Sequence, residues 1–412
     1  MQVIHPRCAG LDVHPDSVVA TVLLTAPDGS VTKHQQTFGA FTPELLRLAD
    51  WLKSHAVTQA AMESTGAYWK PVWNLLEDQL TLVLVNAQHL KRVPGRKTDV
   101  SDSEWLADLL RHGLLRPSFV PARPQRELRE LVRHRGGYVD RAAQVKNELQ
   151  EVLECANLKL ARVATDITGV SALAMLQGLL AGETSAEKLA ELARGRLRSK
   201  KPQLIQALDG RLAAHHRLII SQLLADLEWC EEQIADVSAE IAQRLTVEAP
   251  ILKRLDAIPG VNRRIAEVIV AEAGTDMSRF PTAGHFVAWS GFCPGNHQSG
   301  GKRRGARVRP GDRTLKRAVM EAAHAGSRKK GSFLKARYHR LAGRRGAKRA
   351  KVAVGHSILK SVYHLLAKGT DYHDLGQDYY ERRNPEQLAR KLAQRIEKLG
   401  YAVKLEQLPQ AA

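Results

Sequence analysis

A chain of 412 residues with 44% hydrophobic content has room for more than one buried core and the composition of an ordinary globular protein. Its 62 Lys and Arg against 43 Asp and Glu leave a formal charge of +19, which favours a polyanionic partner, nucleic acid first, through counterion release. The apolar run between Asp166 and Glu183 is broken by Gly, Ser, Thr and Gln, and the N-terminus MQVIHPRCAGLDVH lacks an apolar signal core. Membrane and secretory classes are therefore excluded as expectations. The scattered Cys8, Cys155, Cys230 and Cys293 form neither a CxxC pair nor a disulfide framework. They are expected to be packing residues in a reducing cytosol.

In chain order, RCAGLDVH, SVVATVLLT and VTKHQQTF predict a three-stranded meander, with a turn at APDGS. A helix from Thr42 to His55, a strand through TQAAME, a helix from Tyr68 to Leu80 and the strand TLVLVN follow. Strands alternating with helices imply a mixed α/β sheet. From Pro124 the pattern becomes helical. Tyr138, Ala142, Val145, Leu149 and Val152 form one stripe; Ile220, Leu223, Leu227, Cys230, Ile234, Val237 and Ile241 form another. Two such stripes predict a coiled coil, within one chain or between two, and make a homo-oligomer plausible. Short helices are expected over 160–203, and more helices from Pro250 to about residue 368, followed by a polar tail. The expected division is 1–123, 124–247, 248–370 and 371–412.

Four carboxylates carry the chemistry in this reading. Asp12 ends the first strand, Glu63 ends TQAAME, and Asp99 and Asp102 open a helical pattern three residues apart, which on a helix puts both on one face. Crowded carboxylates repel, and a hard divalent cation with oxygen ligands offsets that repulsion. Magnesium fits best, with two ions serving phosphoryl transfer and manganese as a substitute. A single acidic residue at such a place is more often a helix cap. The combined order is the layout of the ribonuclease H-like metal nucleases.

The segments GLDVH, ESTGAYWKPVWNLLE and VNAQHLKRVPGRKTDVSDSEWLADLLRHGLL resemble the N-terminal domain of the DEDD transposases of insertion-sequence family one hundred and ten. IPGVNRRIAEVIVAEAG and FVAWSGFCPGNHQSGGKRRGARVRPGDRTLKRAV resemble that family's C-terminal transposase domain. The resemblance implies a RuvC-like N-terminal domain, a helical coiled-coil middle and a mainly α C-terminal domain. It places the acidic set on Asp12, Glu63, Asp99 and Asp102. It also implies a serine nucleophile, by motif Ser299 in HQSGGK, that joins DNA covalently. Such a link conserves the bond energy needed for resealing. Ser290 and Tyr68 are the weaker nucleophile candidates, both expected to pack. Donor and target DNA, a bridge RNA that selects them by base pairing, and a bacterial, nucleoid-associated setting are further implications. A metal-dependent nuclease of junction-resolvase type is the alternative, and a non-catalytic nucleic-acid scaffold is a second.

The sequence also nominates nucleic-acid contacts. Gly260 is read as opening a helix whose N-terminus faces phosphate, beside Arg263 and Arg264. Lys302, Arg303, Arg304 and Arg307 begin a run with eight Lys or Arg and one Asp up to Arg317. Another run, Arg328 to Lys351, has eleven and no acid. Their position near Ser299 predicts a DNA track.

Overall fold

Alternating β-branched and apolar residues build the first sheet of the computed structural model, which describes residues 2–86, 90, 101–295, 298–303, 308 and 310–406. Strands β1 (Arg7–Val13), β2 (Ser17–Thr25) and β3 (Val31–Gly39) form an antiparallel meander. Helix α1 (Thr42–Ser54) leads to β4 (Gln59–Glu63), and α2 (Trp69–Leu76) leads to β5 (Thr81–Val85). The strand order is β3-β2-β1-β4-β5, with β1, β4 and β5 parallel. The mixed α/β reading therefore holds for the N-terminal region. Helix α2 is shorter than the sequence reading, and Tyr68 precedes it half exposed instead of packing in the core.

The two faces of this sheet are covered by different elements because side chains alternate along each strand. Ala9, Leu11 and Val13 point to the face where α1 buries Leu45, Leu48 and Leu52 and α2 buries Val72 and Leu76. Each leucine or valine among them contributes about 1.5–3 kcal/mol when fully buried. Cys8, Ala61 and Val85 point to the other face, where helix α3 (Asp102–Arg111) lays Ala107, Leu109 and Leu110. Burial pushes the Cys8 thiol up to about 12. Residues Met1–Arg123 form one compact unit.

The second unit, Pro124–Ala412, is almost entirely helical. Its frame is α4 (Arg123–Cys155) and α5 (Ala214–Arg244), which run antiparallel. Glu127 meets Arg244, Arg135 meets Ser238, and Lys146 meets Glu231. The first predicted apolar stripe, and the second from Ile220 to Ile234, lie between them and the short helices of residues 160–208, in a core that includes Leu149, Leu153, Met175, Leu204 and Cys230. The other ends of α4 and α5 send Leu128, Val132 and Ile241 into a further core. That core is completed by α6 (Ala249–Asp256), α7 (Arg263–Ala273), α8 (Ala283–Trp289), α9 (Arg313–Gly326), α10 (Phe333–Arg345) and α11 (Ala347–Lys368). A border at residue 247 thus falls inside a compact unit, because the two long helices serve both cores. A final helix, α12 (Pro385–Glu397), is largely exposed, as the polar tail suggested. Cys155 is exposed, so the packing expectation fails there, at the end of α4. Among the described residues no helix is long and apolar enough to cross a membrane.

Candidate active site

Parallel pairing of β1 with β4 brings two of the predicted carboxylates together. Leu11 is level with Met62, so Asp12 and Glu63 stand one step further along adjacent strands. Residues level on parallel strands point to the same face. Here that is the face of Cys8 and Ala61, which α3 covers. Both carboxylates sit at the carboxyl ends of their strands, where open α/β sheets commonly bind ligands.

Helix α3 starts at this end of the sheet. Ser101 caps it by accepting from the Glu104 amide, with Asp102 and Glu104 in the first turn. Asp102 is exposed at this N-terminus. Helix α3 begins at Asp102, the second member of the expected Asp99 and Asp102 pair. Asp99 lies outside the described residues.

The position of α3 depends on residues that the sequence reading did not single out. Thr21, buried on β2, hydrogen-bonds through its hydroxyl to Ser103 at 2.8 Å. The Ser103 hydroxyl lies 3.3 Å from that of Ser101, which accepts from the Gln35 side chain, and Lys33 pairs with Glu104 at 2.9 Å. Gly10 completes the fit. A side chain there would collide with the Ser103 carbonyl oxygen and the Ala107 amide, so only glycine lets the helix lie this close to β1. Gly10 is two residues from Asp12. The only legible signal was glycine inside a strand pattern.

Neither strand carboxylate is tied to a lysine or arginine among the described residues. Asp12, partly exposed, accepts from or faces His14 Nε2 at 3.1 Å, and Glu63 accepts from the Thr65 hydroxyl at 2.9 Å. Such light partners leave carboxylate oxygens for another ligand. Among the described residues, no three His, Cys, Asp or Glu side chains gather as a metal-binding group. Asp12 and Glu63, on one face of adjacent strands, present carboxylate oxygens, the donor type that a hard divalent cation takes.

The other predicted residues lie in the second unit. Ser299 ends the short strand β6 (Gln298–Ser299), which pairs antiparallel with β7 (Lys302–Arg303). Gly300 and Gly301, with φ of 55° and 73°, make the two-residue turn between them. The SGGK motif is therefore a hairpin tip. Lys302 is exposed, while Arg304 and Arg307 lie outside the described residues. Ser290 is fully buried, its hydroxyl donating to the Val287 carbonyl at 2.9 Å, as expected of a packing residue.

Helix α7 opens at Arg263 with Asn262 as its cap, not at Gly260. Gly260 instead turns its backbone against Ala322 and Gly326 of α9. Arg263 is engaged by Glu267 at 2.9 Å. Arg264 lines a pocket of about 530 Å³ with Arg133, Gly136, Arg313 and Arg317. Two of the pocket's lining arginines are engaged by buried carboxylates: Glu272 accepts two bonds of 2.8 Å from Arg133, and Glu267 accepts one of 2.6 Å from buried Arg135. Burial holds the Glu272 carboxyl above its ordinary range, against the opposing pull of Arg133.

Comparison with known proteins matches both regions. Residues 9–157 match the DEDD transposase family of the IS110 type, and residues 252–339 match the transposase IS116/IS110/IS902 family. A protein of Pseudomonas aeruginosa described as "Probable family 20 transposase" is 25% identical over 349 residues, covering 83% of this chain and 94% of that protein.

Proposed function

We propose that this chain, which carries two transposase domains of the IS110 type, cuts and rejoins DNA with a carboxylate site in its first unit and Ser299 in its second. The observation that carries the reading is the level placement of Asp12 and Glu63 at the ends of adjacent parallel strands, on the face where α3 begins with Asp102. Asp12, Glu63, Asp99 and Asp102 would hold divalent cations, magnesium or manganese, which supply charge stabilisation to a transferred phosphoryl group.

The serine accounts for rejoining. Its Oγ attacks the scissile phosphorus and its proton passes to a base. One P–O bond of the backbone breaks, and the leaving oxygen takes a proton. The new phosphoserine ester keeps the energy of the broken bond, so attack by a hydroxyl of another strand reseals DNA and frees the serine without a nucleotide cofactor. Donor and target DNA are the substrates. Selection by a base-paired bridge RNA suits a chain with a formal charge of +19. In this reading the active species is an oligomer.

Incubating the protein with DNA carrying the element's ends and magnesium, then denaturing it, tests the mechanism. Wild type leaves a protein–DNA adduct that survives denaturation, and Ser299→Ala leaves none. An adduct in the variant, or free ends with no adduct in wild type, would mean another nucleophile.

A further inference from the structure

The basic run from Arg328 to Lys351 is not a uniformly solvated charged face. It folds into α10 and the start of α11, and with the end of α9 it encloses a pocket of about 350 Å³. His324 and Arg328 come from the α9 end, Lys335, Tyr338 and His339 from α10, and Lys351 from α11.

Three properties distinguish this pocket. None of the residues lining it is acidic. Among the described residues Arg328, Lys335 and Lys351 make no ion pair, whereas Arg133 and Arg317 of the larger pocket are paired with Glu272 and Asp140. Lys335, Tyr338 and Lys351 are half-buried, so their side chains lean along protein surface and do not extend freely into water. Three like charges held together without a counter-ion repel, and an anion relieves that repulsion. The same field acts on His324, whose imidazole Arg328 and then Lys351 hold below its ordinary range.

We infer that the pocket between α9, α10 and α11 is a binding site for a phosphodiester group of a nucleic-acid backbone, held by Arg328, Lys335 and Lys351. Arg328 offers a planar fork that matches phosphate oxygens, and the two lysines add compact charge. Tyr338 and His339 add an aromatic edge beside it, suited to a sugar or base next to the phosphate. None of the residues lining the site is Ser299 or one of the predicted carboxylates. It takes from the proposed function only that nucleic acid is the partner.

The test measures binding of the full chain in chelator, without metal, to a labelled DNA duplex and to a labelled structured RNA over a range of salt. Each phosphate contact contributes about one to the log–log salt slope. Arg328→Ala and Lys351→Ala are each expected to lower the slope, and the double variant to lower it by about one, the share of a single phosphate. Lys335→Gln repeats the measurement if either alanine variant melts early. A fall with duplex alone assigns the phosphate to DNA, and a fall with RNA alone assigns it to the guide; both support the site. Unchanged slopes with both, or an equal fall for Lys253→Ala on exposed α6 surface, overturn it. Because binding is read without metal, loss of strand joining in Ser299→Ala does not enter the result, so the two readings fail separately.

Discussion

The carboxylates of the two units live in opposite surroundings. Asp12 and Glu63 end neighbouring strands, are only partly buried and meet a histidine and a threonine. Glu267 and Glu272 are buried within α7 and are held by Arg135, Arg263, Arg129 and Arg133. The same functional group thus keeps only light partners in one place and is consumed by structure in the other. What separates the cases is whether the fold delivers a guanidinium. A buried carboxylate without one would carry the full desolvation cost, and a strand-end carboxylate in contact with water does not.

The comparison breaks most visibly through activity. Asp12→Ala or Glu63→Ala is expected to lower DNA cleavage by roughly a thousandfold, since several kcal/mol of transition-state stabilisation would go and each 1.36 kcal/mol is tenfold. Thermal melting of both variants should match wild type, as calorimetry would show. A variant that melts early while retaining cleavage would place these residues in the structural class.

Glu272→Gln is the converse. It leaves Arg129 and Arg133 without their buried counter-ion, and a loss of about 3–5 kcal/mol is expected in chemical denaturation of the second unit. Normal stability with lost cleavage would reverse the contrast.

Gly10→Ala sharpens it with a smaller effect. Its methyl group must displace α3, at a cost of about 1–3 kcal/mol, and the displacement moves Asp102 relative to Asp12. Cleavage is then expected to fall more than stability, and Ser103→Ala, which keeps the backbone approach, should fall less. Equal losses in the two variants would mean that spacing of the helix is not what matters.

Much of the sheet was readable because its cause is local. Alternation and β-branching mark β1 to β5, and turns at Pro-Asp-Gly and at strand ends delimit them. The end-of-strand places of Asp12 and Glu63 followed from those limits. The start of α3 is set by its cap, Ser101, whereas a repeat of apolar residues marks only a helix's body. Gly260 was misplaced for a related reason: a glycine before a basic helix looks like a phosphate loop until α9 is seen against it.

By itself, then, the sequence determined which residues form strands and helices, the positive charge that selects a nucleic-acid partner, and the carboxylates that end the strands. Those follow from local backbone preference and side-chain chemistry, which act over a few residues. Tertiary structure decided the rest: that Asp12 stands level with Glu63, that Gly10, Thr21 and Ser103 seat α3 on that face, and that Glu272 is spent on Arg133. It also turned part of an unbroken basic run into a three-helix pocket. The reason is sequence separation. Thr21 and Ser103 are 82 residues apart and Arg133 and Glu272 139 apart, and pairings over such distances are set by the packing of whole elements.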